Sequence, residues 1–106
     1  MPATDWLAVP PDLHDRALAE EFRASPRGPH GERLRRLLVV MRQQPTAGKP
    51  VLLRLADERL MLAELPARRG EPLTLHRGQV FATRDDAAEW AAFRLRWRRL
   101  FDEVLP

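Results

Sequence analysis

Apolar runs alternate with Pro- and Gly-rich breaks along this chain, and the spacing inside each run predicts the element it forms. Trp6-Leu7 come first, followed by the Pro10-Pro11 break. Leu13, Ala17, Leu18 and Phe22 then place a narrow apolar stripe on one side of a short helix that Asp12 is positioned to cap. Ser25-Pro26-Arg27-Gly28-Pro29 stops that helix. An element so short, flanked by prolines, suits a docking arm better than a self-sufficient core. Leu34, Leu37, Leu38 and Met41 repeat at i, i+3, i+4 and i+7, with Val40 widening the stripe, which predicts a second helix over 31–43. It ends before Pro45, because a proline ring disfavours helical geometry at the preceding residue.

The next segment reads two ways. Val51, Leu53 and Leu55 alternate with Arg54 and Ala56, and Leu60 and Leu62 alternate with their neighbours, as in two strands turning at Asp57-Glu58. Leu53, Ala56, Leu60 and Ala63 also match helical spacing, and the Leu/Ala/Arg/Glu composition favours a helix. Further on, Leu73-Thr74-Leu75 and Gln79-Val80-Phe81-Ala82 bracket His76-Arg77-Gly78 as a hairpin would. A lone hairpin is marginal in water, so those strands want partners, which favours a four-strand meander using 51–56 and 59–65. The last helix is the clearest element. Thr83 and Asp86 stand at capping-box spacing, and Trp90, Phe93, Trp97, Leu100, Phe101 and Val104 fall on a single stripe. Trp90 and Trp97 are expected in the core. The fold class is α+β: N-terminal helices, a small antiparallel meander of three to four strands, and a long C-terminal helix packed on it. An arm over 1–29 and a small domain over 30–106 follow from the punctuation.

Composition narrows the function. At 106 residues one modest core is the default. The longest aliphatic stretch, Leu37–Met41, is far short of the roughly 20 residues that cross a bilayer, and no export signal is recognisable, so a soluble cytoplasmic domain is expected. The absence of cysteine excludes disulfides, thiolate metal sites and thiol nucleophiles. The formal charge is +3, and the excess is local: Ser25 to Arg54 holds six arginines and Lys49, the sole lysine, against Glu32 alone. That stretch would attract phosphate or an acidic surface, which raises a small basic nucleic-acid-binding module on the Arg33–Arg42 helix as an alternative function.

Candidate chemistry is thin. His14, His30 and His76 lie on different pieces of the chain without ligand spacing, so no metal site is expected. Ser25, the sole serine, lacks a glycine-flanked elbow. Asp85-Asp86 and Asp102-Glu103 are carboxylates explained by helix ends. Thr46-Ala47-Gly48-Lys49 ends like a phosphate-binding loop, but Gln43 and Pro50 stand where that motif needs a glycine and a hydroxyl. No catalytic or cofactor residue is expected, and a stand-alone enzyme finds no residues to support it.

The chain nevertheless resembles a known family, the small subunit of N,N-dimethylformamidase. The likeness runs through Glu21-Phe22-Arg23-Ala24-Ser25-Pro26-Arg27-Gly28, His30 and the helix ending in Met41-Arg42. It is sharpest at Gln44-Pro45-Thr46-Ala47-Gly48-Lys49, and it resumes at Gly70-Glu71, Val80-Phe81-Ala82-Thr83, Trp90 and Phe93-Arg94-Leu95-Arg96. The resemblance implies a non-catalytic subunit of a hetero-oligomeric amidohydrolase acting on N-substituted formamides. A mononuclear iron would then belong to the large catalytic partner and none to this chain. It also implies strands over 51–65. The residues expected to contact that partner are Arg42, Pro45, Thr46, Gly48 and Lys49, because a stiff loop loses little entropy on docking, with Trp6 and Leu7 as aromatic and aliphatic anchors.

Overall fold

The computed structural model describes residues 9–106, which fall into two compact units divided between Gln44 and Pro45. In the first, a single 3-10 turn over Pro11–Leu13 precedes helix α1, Arg16–Ala24, and helix α2, Glu32–Arg42. Asp12 does not cap α1. It lies inside the turn that Pro11 starts, and Asp15, in extended geometry, caps instead by accepting from the Ala17 amide at 2.9 Å. The shifted start turns Ala17 outward, so Leu18, Ala19 and Phe22 are the buried residues of α1. Helix α2 keeps the stripe its spacing predicts, burying Leu34, Leu37 and Met41. Pro26 to Gly31 closes the turn between the helices: Ser25 Oγ donates to the Gly28 carbonyl at 2.9 Å, and Glu21 accepts from the Gly31 amide at 2.6 Å.

The second unit is a three-stranded antiparallel meander in the order β1 (Pro50–Arg54), β2 (Leu60–Glu64), β3 (Thr74–Phe81), followed by helix α3, Asp86–Phe101. Segment 51–65 is therefore strand, turn, strand. Pairing decides it: Val51 faces Ala63 and Leu53 faces Met61, while Glu58, at φ 72, makes the turn and Asp57 accepts from the Arg59 amide at 3.1 Å. Local helix propensity loses to a ladder that satisfies both backbones at once.

The hairpin at His76-Arg77-Gly78 is not formed, and no fourth strand arises from it. Both of its arms belong to β3 and pair with the same neighbour, Leu75 with Ala63 and Val80 with Met61. His76 to Gln79 bulge out opposite Leu62 alone. Gly78 does not take the left-handed φ that a tight turn asks of its glycine.

Helix α3 starts two positions later than the capping box at Thr83 and Asp86 would set. Asp85 caps it, accepting from the Ala88 amide at 3.0 Å. Small residues let α3 approach the sheet: Ala91 and Ala92 meet Leu62, flanked by Leu52, Phe81 and Leu95. Phe93 and Trp97 are fully buried and Trp90 half-buried, with neighbouring rings 5.7 and 6.0 Å apart. At roughly 25 cal/mol per Å², the two buried rings contribute several kcal/mol. The helix stops at Asp102, which takes left-handed φ 51, and so Val104 leaves the stripe and lies 64% exposed. Glu103 accepts from the Trp97 indole at 3.0 Å, returning the tail to α3. Among the described residues, no helix is long and apolar enough to cross a membrane.

Candidate functional site

The loop leading into β1 is held from two directions. The Lys49 amide donates to the Thr46 carbonyl at 3.0 Å, closing a tight turn. Gly48 donates to the Leu65 carbonyl and Leu65 donates to the Lys49 carbonyl, each at 2.9 Å, which extends the β1–β2 ladder backwards into the loop. From the last turn of α3, Arg99 reaches over: its Nη1 donates to the Gly48 carbonyl and its Nη2 to the Ala47 carbonyl at 3.2 Å. A guanidinium fork suits this task, since one planar group can serve two acceptors.

Gly48 is favoured on two counts, its backbone angle and the space beside it. Its φ is 74, and a Cβ added there would stand 3.1 Å from Arg99 Cζ and overlap Nη1. Behind the clamp, Glu64 at the end of β2 orients the cation. Its Oε1 lies 3.8 Å from Arg99 Nη1, and its Oε2 accepts from the His76 ring at 2.8 Å. The result is a chain of polar contacts from the bulge of β3, through β2 and α3, to the loop. Pro45, Thr46 and Ala47 face solvent, while Gly48 and Lys49 are half-buried.

Of the expected contact residues, then, the structure groups Pro45, Thr46, Gly48 and Lys49 in one loop of the second unit. Arg42 is the exposed last residue of α2 in the first unit, and Trp6 and Leu7 lie outside the described residues. Arg99, Glu64 and His76 are the residues that sequence reasoning missed. Arg99 stands 51 positions from Gly48, and no local spacing signals that contact.

In the first unit, the residues that carried the resemblance shape a turn. His30 stacks on Phe22 with centroids 5.8 Å apart and bonds the Ser25 carbonyl through Nε2 at 2.9 Å. The basic helix is partly neutralised where it stands. Arg33 pairs with Asp15 at 3.0 Å and Arg36 with Asp12 at 3.2 Å. The Ala17 amide, and after it Arg33, hold the Asp15 carboxyl below its ordinary value. Among the described residues, no group of three or more His, Cys, Asp or Glu side chains is arranged to hold a metal ion.

By class, this is a small α+β protein whose convergent polar residues brace a surface loop. Residues 11–105 match the family model of the N,N-dimethylformamidase alpha subunit, and the chain belongs to that family, whose members are subunits of a multi-subunit amidohydrolase. No curated protein matches the chain.

Proposed function

We propose that this chain is the non-catalytic small subunit of a hetero-oligomeric amide hydrolase. The enzyme would convert an N-substituted formamide and water to an amine and formate. The iron and the residues that do chemistry sit on the large subunit, and this chain covers and stabilises that subunit. One observation carries the reading: the loop over 45–49 is held in a single shape by Arg99 and by the β1–β2 ladder while its tip faces solvent. A surface already ordered loses little conformational entropy when a partner covers it, so it docks at small cost. The pairing of Arg33 and Arg36 with Asp15 and Asp12 speaks for this reading over the nucleic-acid one, because those cations are already engaged.

The test is co-purification of the two subunits from one expression host. Lys49→Glu reverses the loop's one ammonium and weakens recovery of the large subunit. Unchanged assembly removes the loop from the interface. Retention of the isolated chain on DNA or RNA at physiological salt would transfer the function to the basic helix.

A further inference from the structure

We infer that the second unit carries a binding site for a small carboxylate with a short apolar stem, in the cleft where α3 crosses the bulge of β3. The cleft measures about 180 Å³. Leu62 of β2, Leu95 of α3 and Leu105 of the tail supply apolar wall, while Arg94, Arg98 and His76 supply the polar side. No Asp or Glu lines it. Glu64, the nearest acid in the network, already accepts from His76.

Three features select the ligand. Arg94 turns into the unit from the middle of α3, and although its Nη2 donates to the Leu105 carbonyl at 2.9 Å, its buried Nε has no hydrogen-bond partner. A buried N–H without an acceptor is costly, and an anion that reorients the guanidinium relieves it. Arg98 lies one helical turn further on, on the same face, and its guanidinium forms no ion pair among the described residues. Two guanidiniums in register, in a cleft that no Asp or Glu lines, prefer a planar, two-oxygen anion. Size and wall chemistry set the rest. An apolar cavity of about 150 Å³ holds benzene, so this cleft takes a carboxylate with a few carbons. Inorganic phosphate would leave the leucine wall unused.

The site is independent of the assembly reading, and its test uses the full chain alone. Butyrate is titrated into the purified protein by calorimetry, with butyramide as the neutral match in shape. Saturable binding of butyrate in the millimolar range is expected, with butyramide about tenfold weaker or worse. Arg94→Gln and Arg98→Gln each weaken butyrate binding by a similar factor. Arg98 is exposed, so its variant keeps the fold and remains informative if the Arg94 variant does not. Equal binding of butyrate and butyramide, wild-type binding by Arg98→Gln, or no saturation overturns the site. Repeating the titration on the two-subunit complex identifies the source of the group. Retained binding assigns a free small molecule, and loss on assembly assigns an acidic side chain of the large subunit.

Discussion

Gly48 and Arg99 make a prediction that can be worked in numbers. Gly48→Ala forces a side chain into left-handed φ, which costs about 1 kcal/mol, and its methyl displaces the Arg99 guanidinium. Displacement breaks the two hydrogen bonds to the Ala47 and Gly48 carbonyls, about 1 kcal/mol each after allowing for exchange with water. The single variant therefore loses about 3 kcal/mol, and Arg99→Ala, which removes only the clamp, about 2. In the double variant the clamp is already gone and only the φ cost is added, so the total stays near 3 kcal/mol rather than the additive 5 or so. Urea denaturation of the four proteins measures the cycle, and at ~4 °C per kcal/mol Gly48→Ala lowers the melting temperature by roughly 12 °C. Additivity within about 0.5 kcal/mol refutes the reasoning, because it means that the methyl and the guanidinium do not compete for one space. The same proteins, tested for recovery of the large subunit, separate loop order from loop charge. Gly48→Ala changes no charge, so a loss of assembly there traces to shape.

The remaining predictions concern local chemistry. Asp85→Ala removes the cap of α3 and costs about 1 kcal/mol by thermal unfolding, whereas Thr83→Ala is near neutral; the reverse order would restore the box at Thr83 and Asp86. The carboxyl of Asp15 is held below its ordinary value of 3.8 by the Ala17 amide and then by Arg33. Its contribution is therefore present above 3.8 and fades as acid protonates it through the lower folded value. Asp15→Asn should be less stable than wild type at neutral pH, and the gap in urea midpoint should close in strong acid; a gap that is constant across pH contradicts the ion pair with Arg33.

Much of this fold is legible because its apolar periods are strong. Leu34, Leu37 and Met41 fix α2, and Phe93 and Trp97 fix α3, since burial on one face leaves few other arrangements. The misreadings are local and share a cause. Asp12, Thr83 and Gly78 each belong to a short motif with a nearby competitor: Asp15 two residues before its amide, Asp85 two residues after Thr83, and the long ladder on β2. Short motifs lose to whichever neighbour satisfies more backbone. The loop at Gln44-Pro45-Thr46-Ala47-Gly48-Lys49 stood out in the sequence, but its brace did not. Gly48 depends on an arginine from another element, and that dependence exists only once the sheet has brought α3 alongside.

The swelling of β3 opposite Leu62 has a consequence for how copies of this chain behave towards each other. β3 is an outer strand, and a flat outer strand of eight residues would be a template on which another molecule could lay its own backbone. Four residues that depart from the ladder, with Arg77 among them, interrupt that template halfway along. The irregularity divides the edge that β3 offers into two short runs, each a poorer template for a second backbone than eight regular residues.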